Sequence, residues 1–167
     1  MIIGLLSDTH GWLDPTLENH FNSCDEIWHA GDIGPGVAAE LLRWKPLKAV
    51  FGNIDDGETR LQFPEHQYAA YEGISLWMTH IGGAPPRYHP SVRKSLKDNP
   101  PNIFICGHSH VAKAYRDPEI SNLLYLNPGA AGQHGFHRMR TAMRFELKDN
   151  KVSRLELIEL GLRGKIN

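Results

Sequence analysis

The feature that most limits the folds open to this chain is a recurrence: five times, a short apolar run ends in a small cluster of Asp, Asn or His. The clusters are Asp8-Thr9-His10, Gly31-Asp32, Gly52-Asn53-Ile54-Asp55, Thr79-His80 and Gly107-His108-Ser109-His110. The runs before them, Ile2–Ser7, Glu26–His29, Leu47–Phe51, Ile74–Met78 and Asn102–Cys106, have the length and residue types of buried strands. Open α/β sheets bind ligands in the crevice beyond the C-terminal ends of their strands. A chain that plants donors just past five strands is therefore built to converge them. The pairs Asp8/His10 and His108/His110 fit this reading, because residues two apart share a face only in an extended segment. Glycine beside four of the five clusters lets the backbone approach the site closely.

Other segments fill in the layers. Asp14-Pro15 offers an N-cap and a first-turn proline, with Leu13, Leu17 and Phe21 recurring every four residues, which predicts a helix. A second helix is expected after Pro35, with Val37, Leu41 and Leu42 on one face. Gln67–Tyr71 and Ile74–Met78 flank Glu72-Gly73 as a hairpin, and a helix over Ser91–Lys97 stops at Asn99-Pro100-Pro101. Strands follow at Val111–Arg116, Leu123–Leu126, Thr141–Leu147 and Val152–Ile158, the last two joined by Lys148-Asp149-Asn150. The pattern predicts an α/β fold of two mostly mixed sheets packed face to face with helices outside. With 167 residues and no repeat or linker, one domain over 1–167 is expected.

Composition excludes more than it specifies. Hydrophobic content of 41% and charged content of 22% are those of an ordinary globular chain, and a net charge of −1 supplies no footprint for general nucleic-acid binding. No apolar run approaches the ~18 residues of a membrane span. Cleaving a leader from Ile2–Ser7 would disturb the first cluster, so a cytoplasmic location is expected. Cys24 and Cys106 are too few and too far apart for a disulfide framework, and Cys106 reads as a small buried residue. Whether the chain forms a homo-oligomer is left open.

Oxygen and imidazole donors of this kind suit Mn, Fe, Ni or Zn. The order D-x-H, GD, GNxD, a lone His and GHxH resembles the calcineurin-like metallophosphoesterase superfamily, and within it the small phosphodiesterase branch that is little more than the catalytic core. The resemblance runs from Ile2 to about Ile158. It implies an α/β/β/α sandwich and two divalent ions, with manganese the first expectation. Asp32 would bridge them; Asp8, His10 and His110 would complete one site, and Asn53, His80 and His108 the other. Two cations about 3.5–4 Å apart clamp the attacking and leaving oxygens of a phosphoryl displacement. The implied activity is hydrolysis of a small or nucleotide-like phosphodiester by a hydroxide between the ions, with Asp32, Asn53 and His108 as catalytic residues. Phosphomonoesterase or nuclease activity on the same site, and a retromer-subunit-like scaffold, are the competing expectations.

One position departs from the pattern. Many relatives carry His after GN, near the leaving group, and this chain has Ile54. Isoleucine supplies neither a proton nor a charge, and losing a positioned general acid typically costs about 10²–10⁴-fold. Activated diesters should suffer least, which favours a phosphodiesterase over a monoesterase. Asp55 is then expected to be a structural hydrogen-bonding residue, placed to orient a histidine introduced by Ile54→His. Arg87 is a candidate phosphate contact, since its planar donors match phosphate oxygens. His29 is expected to be buried and hydrogen-bonded, His20 and His66 at the surface. For His89, His134 and His137, near the site mouth, a structural role is expected.

Overall fold

Period-two alternation along the strands explains how this chain buries three separate apolar clusters. In the computed structural model, which describes residues 1–71 and 73–164, β1 (Ile2–Leu6) sends Ile3 and Leu5 one way and Leu6 the other. The same split recurs in β2 (Glu26–His29), β5 (Ile74–Thr79), β8 (Ile103–Ile105) and β10 (Leu123–Pro128). Ile3, Leu5, Trp28, Leu76, Met78, Ile103, Ile105, Leu124 and Leu126 meet in a central cluster between two sheets. Their strand neighbours face outward onto helices: Leu6 and Ile27 with α1 (Thr16–Phe21) and α2 (Val37–Trp44), and Trp77, Phe104 and Tyr125 with α4 (Pro90–Asp98).

The first sheet has the order β12-β11-β1-β2-β3, where β3 is Leu47–Ala49, β11 Met139–Lys148 and β12 Lys151–Leu162. The second has the order β4-β5-β8-β10-β9, with β4 His66–Tyr71 and β9 Ala112–Asp117. β1, β2 and β3 pair in parallel, as do β5, β8 and β10, so the C-terminal ends that carry the five clusters point the same way within each sheet. Antiparallel strands complete both sheets. The result is the expected α/β/β/α sandwich.

Several boundaries differ from expectation, and three short elements were not foreseen. A short helix, α3 (Gly57–Gln62), follows the third cluster; none of its residues is buried, so it carries no apolar periodicity to read. Asp56 caps it by accepting from the Thr59 N–H. The two-residue strands β6 (Gly83–Ala84) and β7 (Arg87–Tyr88) form a small hairpin that was also unanticipated. Leu42, expected on the buried face of α2, is 49% exposed. Of the expected Glu72-Gly73 turn, Glu72 lies outside the described residues, as do residues 165–167. The β11–β12 turn places Asp149 and Asn150 at φ 52° and 57°, the two-residue hairpin geometry that tolerates Asp and Asn. Among the described residues no helix is long and apolar enough to cross a membrane.

Phe145, 1% exposed in the central cluster, and Leu61, 92% exposed on α3, make a direct contrast. Phe145→Ala should cost about 3–5 kcal/mol in urea unfolding. Leu61→Ala should stay within about 0.5 kcal/mol of the parent. Similar losses for the two would contradict the layering.

Candidate metal centre

Backbone and side-chain hydrogen bonds lace the five loops together beyond the strand ends. The Asp8 N–H donates to the Gly31 carbonyl (3.0 Å), the His10 N–H to the Asp32 carbonyl (3.0 Å) and the Gly107 N–H to the His80 carbonyl (3.1 Å). Gly52 and Gly107 permit this closeness. A Cβ on Gly52 would lie 2.0 Å from Asp32 Oδ1, and one on Gly107 would lie 2.7 Å from the Ala30 carbonyl oxygen. Five of the seven candidate ligands hold left-handed backbone: Asp8 (φ 56°), His10 (48°), Asp32 (54°), His108 (65°) and His110 (58°). For residues with a Cβ that conformation costs roughly 1–2 kcal/mol each. Strain concentrated at the residues whose side chains converge is the mark of a functional site.

The donors fall into two groups. Asp8, His10 and His110 bring one ligand atom each within 4.8 Å of one another, and Asp32, His80 and His108 do the same. Asp32 faces both groups: its Oδ1 is 3.2 Å from His80 Nε2, and its Oδ2 is 3.7 Å from His10 Nε2. The Ile54 N–H fixes this carboxylate by donating to Oδ1 at 3.0 Å. Asn53 lies on the wall shared by a cavity of about 450 Å³ on the His108 side and one of about 330 Å³ on the His80 side.

Proton positions follow from the hydrogen bonds. The Ala30 carbonyl is 2.7 Å from His80 Nδ1 and can only accept, so Nδ1 carries a proton. In the neutral ring, Nε2 then points a lone pair toward the carboxylates of Asp32 and, at 3.9 Å, Asp8. A parallel chain ends at His110. The Gly132 carbonyl accepts from His137 Nε2 (3.0 Å), which leaves His137 Nδ1 as an acceptor for His110 Nδ1–H (3.3 Å). His110 Nε2 is thereby bare, 3.1 Å from Asp8 Oδ1. Lone pairs aimed at carboxylate oxygens repel unless a cation stands between them. Asp8 Oδ1, His10 Nε2 and His80 Nε2 are buried with no hydrogen-bond partner, the configuration a pair of divalent ions would satisfy. The residues present fit the ions that the donor types suit.

Charge shifts agree with that geometry. Burial opposes ionisation of Asp32, but contact with His80, the Ile54 N–H and His10 outweighs it and holds the carboxyl below its ordinary range. Burial pushes His80 down, yet Asp32 and Asp8 more than offset it, so its pKa is raised. His10 and His108 are lowered, chiefly by burial.

Neighbouring residues divide between expectation and surprise. Asp55 is a structural acceptor, as expected: it takes the N–H groups of Ile33 (2.9 Å), Gly34 (2.9 Å) and Gly52 (2.7 Å). Those bonds commit both oxygens, so Asp55 is not free to orient a side chain introduced at position 54. His29 is fully buried between the Thr9 hydroxyl and the Gly31 N–H, its pKa pushed down to about 4 by burial. His66 is half-buried beside Trp77 rather than at the surface. Arg87 is exposed on β7 and lines neither cavity, whereas His89 lines the smaller one. His134 stands 5.0 Å from the His10 ring, centroid to centroid. Sequence reasoning missed Arg60, which braces the third loop by donating to the carbonyls of Gly52, Asn53 and Asp55. Its only signal was a cation one turn into an unrecognised helix.

Comparisons with known proteins agree with the geometry. The calcineurin-like phosphoesterase superfamily domain matches residues 1–150. No curated protein sequence matches the chain. Among solved structures, an archaeal phosphodiesterase is similar at 20% identity and TM-score 0.72, covering 95% of this chain and 99% of that one. A conserved predicted phosphoesterase from Streptococcus pneumoniae TIGR4 is 23% identical (TM-score 0.70; 95% and 89% covered). Wild-type Vps29 from Entamoeba histolytica, complexed with zinc, is 15% identical (TM-score 0.71; 96% and 100% covered). At these identities the structural matches speak for the fold.

The proton chain through His137 has a measurable consequence. His137→Leu should weaken manganese or zinc binding at the Asp8/His10/His110 group by about 10–100-fold, the usual loss when a ligand's outer partner is removed. His137→Gln, which keeps an acceptor for His110 and a donor for Gly132, should retain most of the affinity. Equal calorimetric affinities for all three proteins would show that His137 does not fix the His110 ring.

Proposed function

Because the chain belongs to the calcineurin-like phosphoesterase superfamily, a metal-dependent family, we propose that it is a two-metal phosphodiesterase acting on a small phosphodiester. The observation that carries this reading is the pair of three-donor groups whose bare imidazole nitrogens and carboxylate oxygens face one another across Asp32. Asp8, His10, His110 and Asp32 would hold one ion, and Asp32, Asn53, His80 and His108 the other. When bound, the ions supply the charge that makes water nucleophilic near neutral pH and neutralises the phosphoryl oxygens.

The chain's own residues do the positioning. Asp32, tethered by the Ile54 N–H, sets the separation of the two groups. Asp8 is tethered in turn by the His108 N–H, which donates to its Oδ2 at 3.1 Å, so each acid is fixed by the loop of a different cluster. Asn53 offers a carbonyl oxygen without adding negative charge, which suits an anionic substrate. Its loop is held from behind by Arg60 and Asp55. His108, exposed above its group, lines the larger cavity.

Ile54 supports a diester over a monoester. Its side chain lines the larger cavity and is 46% exposed, so the position faces substrate and offers it no proton and no charge. A dianionic monoester gains most from an extra cation there and a diester with a good leaving group gains least.

Two variants test the reading. Asp32→Asn should lower kcat/KM for an aryl diester by at least about 100-fold in the metal-supplied protein. Near-normal turnover would mean that Asp32 does not join the two groups. The unmodified protein should prefer an aryl diester to the matched monoester. Ile54→His should shift that ratio toward the monoester by about tenfold or less, well short of a positioned general acid, because Asp55 is already committed to three backbone N–H groups. A parent protein that prefers the monoester would overturn the argument from Ile54. No hydrolysis of either ester with metal restored would favour the scaffold reading.

A further inference from the structure

The larger cavity has a wall that the metal centre does not use. Three exposed apolar side chains line it: Phe136, 103% exposed, Val111, 63%, and Ile54, 46%. They stand around the donor end, where His10, Asp32, His108 and His110 form the floor. Among the described residues, no Lys or Arg lines this cavity. Its remaining polar wall includes His134 and His137, the latter with its ring tied to Gly132 and His110. Among the described residues, a polyanion would find no lysine or arginine here.

We propose that this wall is the subsite for a flat aromatic ester group of the substrate, with Phe136 as its stacking platform. The inference rests on the phosphodiesterase reading above and adds the substrate class: a diester that carries an aryl or nucleobase group. A phosphoryl group at the donor floor places its ester substituent within the same cavity, whose volume of about 450 Å³ admits a ring as well as a phosphate. A fully exposed phenyl ring contributes nothing to the core, and none of the three clusters of buried residues includes it. A flat π-system laid on that face removes apolar area of both partners from water, and stacking on aromatic side chains tolerates any ring. Val111 and Ile54 contribute apolar edges at the same rim. Phe136 is a specificity-determining residue in this account, not a catalytic one.

The test is direct binding of product-like monoesters to the metal-loaded protein, measured by calorimetry, so it needs no turnover. Methyl, cyclohexyl and phenyl phosphate and a nucleoside 5′-monophosphate form the series. Phenyl phosphate and the nucleotide should bind more tightly than methyl and cyclohexyl phosphate. Phe136→Ala should weaken those two by roughly 5- to 150-fold, the loss of one stacked ring, and leave methyl phosphate unchanged. Phe136→Trp should restore them. Tightening of phenyl phosphate alone would assign a simple aryl ester, and tightening of both a nucleoside-bearing one. Equal affinities across the series, or losses as large for cyclohexyl as for phenyl phosphate, would overturn the flat-ring subsite. So would a Phe136→Ala variant that turns a dimer into a monomer with its affinities unchanged, since the rim would then be a protein contact. Failure of the parent protein to hydrolyse any diester would sink the activity instead, and the binding series would still report on the subsite.

Discussion

The charge balance among Asp8, Asp32 and the imidazoles around them governs the open end of this sandwich. Two buried acids and several bare ring nitrogens have been gathered where each repels its neighbour unless cations intervene. Strained backbone at Asp8, His10, Asp32, His108 and His110 adds to the cost. The compensation lies beneath, where Ile3, Leu5, Trp28, Met78 and Ile105 lock the strands that carry those loops. The sheets are therefore a rigid base that over-determines an otherwise unfavourable cluster. The glycines matter for the same reason, since a single Cβ on Gly52 would collide with the Asp32 carboxylate.

The arrangement also explains how the outer residues are divided. Asp55 and Arg60 hold the Asn53 loop through backbone groups alone, so they act on position and not on substrate. His137 fixes which nitrogen of His110 is free, and Ala30 does so for His80. Two different outer partners thus yield the same result in the two groups: an Nε2 lone pair directed inward.

How much of this was legible in the sequence depended on whether the signal was local. The strand-end clusters were readable because five apolar runs ended in donors, and two-residue spacing put Asp8 with His10 and His108 with His110 on one face. The role of Asp55 was readable once Ile54 removed the histidine it would have oriented. What could not be read had no periodic or local trace. Helix α3 buries nothing, so its sequence Gly57–Gln62 shows no stripe. Leu42 looked like a core residue by spacing, yet its face of α2 turns to solvent. His137 lies 27 residues from His110, and only the fold of the loop after β10 brings the rings together. Arg87 fits phosphate chemically, but its two-residue strand leaves it outside both cavities. Phe136, in a polar loop, gave no hint of its exposure.

The central claim is that the converged donors hold two ions across Asp32. Anomalous diffraction from crystals grown with manganese measures this most directly. The account predicts two peaks per chain, one among Asp8, His10 and His110 and one among Asn53, His80 and His108, with a carboxylate oxygen of Asp32 on each. A single peak, or two peaks that Asp32 does not join, would contradict it.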